Sequence, residues 1–368
     1  MEEQLGGERP QLLLAFASPH HVGACARMSS LAQQLFPEAV FAGCTGLGVI
    51  GNAHEAEEGP ALSLNGAVLP RVEIVGRHFV MSSLPPHDDV GIWHERVGVL
   101  PRAHPKLMVL ADPFTIDAPE LVAGLDRAYP GTEKFGGLAS GGAGAGEQRL
   151  LLGNAIHRAG AITVAFSGDL QVETLIAQGC RPIGPPMIVT RAREGIVLEL
   201  DEGPPLNVLS EIYSSLDARD RELVQHSLFL GIEMRQDKVQ FEAGELLVRN
   251  IVGVDQESGA LAVGASVHPM QVIQFVLRDA HAAEQDLRQL LEQRRLAQAA
   301  RPAGALLFSC TGRGSGLFGH PDHDTELFQE KLGPVPLGGF FCNGEIGPVG
   351  GSTFLHGYTS AFALFRAG

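Results

Sequence analysis

Two glycine-rich stretches concentrate the side chains best suited to chemistry. "SCTGRGSGLFG" (309–319) carries Cys310, Thr311 and Arg313, and "GGFFCNGEIGPVGG" (338–351) carries Cys342, Asn343 and Glu345. An arginine presents a planar fork that matches a carboxylate, and a glutamate suits an ammonium group. Glycine between them lets the backbone N–H groups come close to a ligand. If both stretches reach one rim, Thr311, Arg313, Asn343 and Glu345 would hold an amino-acid-like molecule. If Arg313 and Glu345 simply pair with each other, the glycines are architectural. Either way a buried charge needs a partner, because unpaired burial costs several kcal/mol. Arg249, Asn250 and His356 join the candidate ligand-binding set from neighbouring strands.

Other constellations weigh less. Cys310 or Cys342 with His356 as base would make a nucleophilic site, since the thiolate is the reactive form. No nucleophile signature surrounds either cysteine, and free cysteine is commonly buried, so packing is the favoured reading for both. "HPDHDTE" (320–326) gathers His320, Asp322, His323, Asp324 and Glu326. Adjacent ligands in one loop rarely complete a metal shell, and a loop before a helix is where acids and threonine act as caps. "SGGAGAGEQ" (140–148) has the glycines of a dinucleotide loop but runs into a strand-like segment, not a helix. No metal, cofactor or catalytic residue is expected.

The elements that must position these residues come as a threefold repeat. The first copy runs "LLLAFAS", "CARMSSLAQQLFP", "AVFAGCTGLGVIG", "ALSLNGAVL". The second runs "LMVLADP", "APELVAGLDRAYP", "EKFGGLASGG", "GAITVAFSG", and the third "ALLFSCTG", "DTELFQEKLG", "LGGFFCNGEIGPVGG", "TFLHGYTSAFALF". Each copy reads strand, helix, glycine-punctuated strand, closing strand. Leu47 of the first copy and small residues of the second stand near the place of Glu345, so the carboxylate is peculiar to the third.

Between copies two and three the texture changes. "AQGCRPIGPP" (177–186) suits a boundary. "PMIVTRA" and "GIVLELD" read as a hairpin, "PLNVLSEIYSSL" and "DRELVQHSL" as helices, and "GELLVRNIVGVD", "GALAVGASV" and "QVIQFVLRD" as strands. A long helix follows, with Ala283, Leu287, Leu290 and Leu291 on one face. The fold class expected is α/β, with two domains (1–178 and 179–368) of mixed β-sheets faced by helices, built from repeated strand-helix-strand units.

The chain has 368 residues and a net charge of −15. It lacks the concentrated basic surface that nucleic acid requires. No apolar run approaches the roughly 18–20 residues of a membrane span. The five cysteines are scattered, and the start "MEEQLGGERP" has no basic-then-apolar leader. No disulfide framework, no membrane and a cytoplasmic setting are the expectations.

The order of "QGCRPIGPPMIVT", "VRNIVGVDQESGALAVGASV", "FVLRDAHAAEQDL", "SCTGRGSGLFG" and "GFFCNGEIGPVGG…FLHGYT" resembles the FIST family, in which a FIST N domain precedes a FIST C domain. The resemblance spans essentially the whole chain and is strongest from 177 to 368. It implies a sensory, small-ligand-binding role in signal transduction, with amino acids a proposed ligand class. It brings no catalytic residues. The chain shows no F-box, kinase or other output domain, so a separate partner would carry the signal. The alternatives are a Cys/His-dependent enzyme acting on a small metabolite and a protein-docking scaffold.

Overall fold

The computed structural model describes residues 3–86, 88–201, 203–234, 245–297 and 300–368. The chain forms two compact units. One combines 1–176 with 290–355 and 359–368, and the other holds 177–289 and 356–358. Apart from 356–358, all three repeats therefore lie in one unit, although the 113 residues 177–289 of the other unit stand between the second and the third. As compact units the chain does not divide in series, in contrast to the 1–178 and 179–368 domains expected from sequence.

Each repeat is built on a parallel strand pair. Leu12–Ala17 pairs with Val40–Thr45, Lys106–Ala111 with Lys134–Leu138, and Gly304–Cys310 with Leu337–Cys342. Parallel neighbours require a crossover, supplied by the helices Cys25–Leu35, Ala118–Ala128 and, in the third repeat, Ser315–Phe318 with His323–Leu332. Asp117 shows how local sequence starts such a helix: its side chain accepts the N–H of Glu120, and a proline occupies the first turn. A closing strand then returns antiparallel to the first strand: Leu62–Ala67, Ala161–Gly168 and Thr359–Ala367.

One glycine in each second strand fixes the equivalence of the copies. A Cβ on Gly43, Gly136 or Gly339 would sit 1.8–1.9 Å from the carbonyl oxygen of Ala15, Val109 or Leu307, the residue opposite it in register. Only glycine allows that approach.

After the second strand each repeat extends a hairpin, and the three hairpins are exchanged in a cycle. Val49–Gly51 with His54–Ala56, from the first repeat, joins the sheet of the third. Leu150–Leu152 with Ala155–His157, from the second, joins the first. Glu345–Val349 with Ser352–His356, from the third, joins the second. The three sheets share one apolar core, to which the repeats contribute matching residues: Leu14, Met108 and Leu306, then Phe16, Leu110 and Phe308.

The second unit is a closed antiparallel barrel of six strands, Cys180–Arg193, Ile196–Leu200, Leu261–Val263, Leu246–Val254, Leu228–Glu233 and Val272–Arg278 in spatial order. Val189, Val197, Leu230, Leu261, Ile273 and Phe275 fill its interior, and the helices Pro205–Ser215 and Ala218–Ser227 lie between its second and third strands in sequence. The hairpin expected at 186–201 is present. Closure into a barrel is the feature that strand patterning does not reveal. In the helix Ala280–Leu296, Ala283, Leu287 and Leu291 are fully buried, while Leu290 is only partly so.

Candidate functional site

The carboxyl ends of parallel strands are where α/β sheets gather ligands, and the third repeat is unlike the others there. Cys310 and Cys342 end the two strands in register. Thr311 N donates to the Cys342 carbonyl (3.0 Å) and Arg313 N to the Cys310 carbonyl (2.9 Å). Gly312 N donates to the Cys310 sulfur at 3.5 Å. Gly314 then takes a left-handed φ of 64° and starts the short helix Ser315–Phe318.

Arg313 turns inward. Its Nε and Nη2 donate to the two oxygens of Asp324 at 2.8 and 2.9 Å, and both residues are almost wholly buried, at 2% and 1% exposure. Burial opposes the charge on each, and the mutual attraction overcomes it: Arg313 is held protonated and Asp324 well below the usual carboxylate range. His323 Nδ1 lies 3.0 Å from Asp324 Oδ1, and its ring stacks on Phe318 at 3.4 Å. Phe318 in turn lies under the guanidinium at 5.2 Å. The third guanidinium nitrogen, Nη1, is buried without a hydrogen-bond partner.

Glu345 occupies the position on which the repeat register bears most directly. It pairs with Gly137, the residue after Gly136; Val49 pairs with Phe340, after Gly339, and Leu150 with Cys44, after Gly43. Where two repeats bury Val49 and Leu150 in the common core, the third buries a carboxyl group at 0% exposure. Its Oε2 accepts from Thr359 N (3.1 Å) and Oγ1 (2.8 Å). Its Oε1 has no hydrogen-bond partner. Burial raises the group to about 8 despite the Thr359 bonds, the nearby Arg313 charge and the Cys310 thiol, so it is largely neutral at pH 7.

The hairpin of the first repeat supplies the remaining acids. Glu55 is buried and accepts from Thr325 N at 2.8 Å; burial and the Asp324 charge push it to about 8. Glu57 accepts from Ser315 N and Oγ at 2.9 and 2.7 Å. A cavity of about 290 Å³ opens here, lined by Leu47, Gly48, Glu57, Glu58, Thr311 and Phe341. Among the described residues no group of three or more His, Cys, Asp and Glu side chains is placed to hold a metal ion.

The expected site residues separate into two sets. Thr311, Arg313, Asn343 and Glu345 all lie in the first unit at this strand edge. Arg313 takes Asp324 as its partner, leaving Glu345 within range of its charge. Asn343 is exposed, with Nδ2 donating to the Ala139 carbonyl at 3.3 Å. Arg249, Asn250 and His356 belong to the barrel unit. There Arg249 Nη1 donates to the Val248 carbonyl, and Asn250 Oδ1 accepts from the Tyr358 hydroxyl.

The expectation that "HPDHDTE" merely caps its helix does not hold. Asp322 precedes His323–Leu332 but makes no side-chain cap; it accepts from Glu55 N and meets His54 instead. From sequence Asp324 is only a capping or metal-ligand candidate, not the partner of Arg313, and Glu55, Glu57 and Thr359 are not singled out. Cys342 lies fully buried, and burial pushes its thiol well above the ordinary range.

Residues 11–203 match the FIST N domain and residues 205–348 the FIST C domain. An uncharacterized protein of Mycobacterium tuberculosis (strain H37Rv) is 35% identical over 363 residues, which cover 99% of this chain and 93% of that protein. An uncharacterized protein of Mycobacterium bovis is 34% identical over 363 residues, covering 99% and 92%. An F-box/LRR-repeat protein of Arabidopsis thaliana is 26% identical over 205 residues, half of this chain and 37% of its own length.

Proposed function

The chain belongs to the FIST family of sensory small-ligand-binding domains, and from that premise we propose that its ligand binds at the strand edge of the third repeat. The observation that carries the reading is Glu345. A repeat that needed only to pack would keep an apolar residue there, as Val49 and Leu150 do. Instead a buried carboxyl group leaves one oxygen unsatisfied beside an arginine with one unsatisfied nitrogen. Native proteins seldom leave such groups without a partner, and a ligand supplies one.

The ligand proposed is a small polar metabolite of amino-acid type. Thr311 brings a hydroxyl to the cavity, and Glu57 and Glu58 make its rim acidic, which suits an ammonium group. Neutral Glu345 donates a hydrogen bond, as Arg313 Nη1 does, so the inner end suits an acceptor such as a carboxylate oxygen. This reverses the role that the residue type alone suggests for Glu345. No helix among the described residues is long and apolar enough to cross a membrane. A cytoplasmic sensor that passes its signal to a separate protein is the setting proposed.

A thermal-shift screen of amino acids and small organic acids tests the reading. A binder raises Tm by an amount that follows RT ln(1 + [L]/Kd), and Glu345→Gln or Arg313→Ala abolishes the rise. A rise that survives both substitutions removes the ligand from this site.

A further inference from the structure

Cys310 differs from the other four cysteines in what surrounds it. It ends a parallel strand, its sulfur accepts the Gly312 N–H, and the Glu345 carboxyl and Arg313 charge both lie within its reach. Its neighbour Thr311 lines the cavity. Equivalent positions carry Ser18 and Asp112, whose side chains are already engaged: Ser18 Oγ accepts from Ala61 N, and Asp112 accepts from Phe114 N and Thr115 Oγ1. In the third repeat the neighbouring polar atoms Glu345 Oε1 and Arg313 Nη1 have no such use.

We propose that Cys310 is a nucleophile that reversibly captures a small uncharged carbonyl compound, with Glu345 relaying the proton and Arg313 Nη1 binding the carbonyl oxygen. The inference rests on the site placed at this strand edge in the preceding section. In the ionised form of Glu345 the thiol gives its proton to a carboxylate oxygen, and the sulfur lone pair forms the bond to the carbonyl carbon. The π pair of the C=O bond moves onto oxygen, which takes the proton back from Glu345. The product is a neutral hemithioacetal, and the reverse path regenerates aldehyde and thiol. No oxidant or second substrate is needed.

The chemical class follows from the groups present. A thiol needs an electrophilic carbon, and an unspent N–H needs an oxygen acceptor on the same centre. Asp324 already neutralises Arg313, so the guanidinium offers a donor without net positive charge. An uncharged carbonyl oxygen, like a carboxylate oxygen, can accept from that donor. The groups facing Glu345 are Arg313, Cys310, Cys342 and Thr359, and Cys44 lies beyond Cys342. Reversible capture also suits a sensor, which must release what it has detected.

Iodoacetamide labelling of the folded full chain, read residue by residue by mass spectrometry, tests this without a known ligand. Cys310 should label about tenfold faster than Cys25, Cys44, Cys180 and Cys342, as a thiol near its base does. Its rate should rise with pH as Glu345 ionises, and Glu345→Gln should slow it by about tenfold. Propionaldehyde should protect Cys310, and sodium propionate should not. Labelling of Cys310 no faster than the others overturns the nucleophile. A rate untouched by Glu345→Gln in a folded variant overturns the relay, and lack of aldehyde protection overturns the carbonyl. The wild-type ranking and the protection need no variant, so a substitution that misfolds leaves the test intact. A failed amino-acid screen with fast, protectable Cys310 labelling would overturn the amino-acid reading alone; a positive screen with an inert Cys310 would overturn only this inference.

Discussion

Arg313 Nε and Nη2 donate to the two oxygens of Asp324 at 2.8 and 2.9 Å, with each side chain 1% exposed. That pair, and not a pair between Arg313 and Glu345, fixes the floor of the third repeat's loop. Removing one member of a buried pair strands the other charge, which costs about 3–5 kcal/mol. Asp324→Asn should therefore lower the unfolding free energy by about that amount, measured by urea titration. The joint change Arg313→Met with Asp324→Leu should recover most of it. Because the folded carboxyl of Asp324 titrates well below its unfolded value, its contribution is present above about pH 4 and lost as pH falls toward the folded value.

Glu345 has the opposite sign. Burial raises it to about 8, so the folded chain holds a proton that the unfolded chain releases near the ordinary carboxylate value. Its linkage destabilises the fold progressively as pH rises from about 4.5 to 8. Glu345→Gln carries no charge to desolvate and should gain about 1 kcal/mol or more over wild type on going from pH 5 to pH 8. Parallel melts at the two pH values check it. A variant whose stability tracks the wild type at both would mean that the carboxyl is not held neutral.

Gly43, Gly136 and Gly339 each face a carbonyl oxygen across the parallel pair at a distance that no Cβ tolerates. Alanine at any of the three should cost about 3 kcal/mol or more by forcing the strands apart. The three substitutions should be similar in size if the copies are equivalent. Circular-dichroism melts of the three single variants make the comparison.

The exchanged hairpins make the first unit depend on both ends of the chain. A fragment ending at residue 203, the limit of the FIST N match, lacks the strand Leu337–Cys342 that receives Val49–Gly51. It also lacks Glu345–Val349, which pairs with Lys134–Leu138. Such exposed edges and an opened core predict that the fragment shows no cooperative unfolding transition. Adding residues 290–368 in trans should restore one.

The repeats were legible in the sequence because each copy has the same order of apolar runs around a glycine strand. Their equivalence was not fully legible. Spacing put Leu47 opposite Glu345, whereas sheet register puts Val49 and Leu150 there, because a long loop in the second copy (139–149) and different turns hide the hairpin starts. The two glycine stretches lie at the ends of the paired strands of the third repeat, the edge at which we propose the site. The partner of Arg313 could not be read, since Asp324 and Glu55 reach it from a helix start and from another repeat's hairpin. The barrel and the return of 290–355 and 359–368 to the first unit depend on long-range pairing, which local patterning does not encode.

Hydrogen–deuterium exchange with and without a stabilising amino-acid-type compound tests the location of the site most directly. The account predicts added protection confined to 309–315, 341–345 and the hairpin 49–57, where Thr311, Arg313, Glu345 and Glu57 converge. Protection confined to the barrel strands around Arg249 and Asn250, with none at the third repeat, would contradict it.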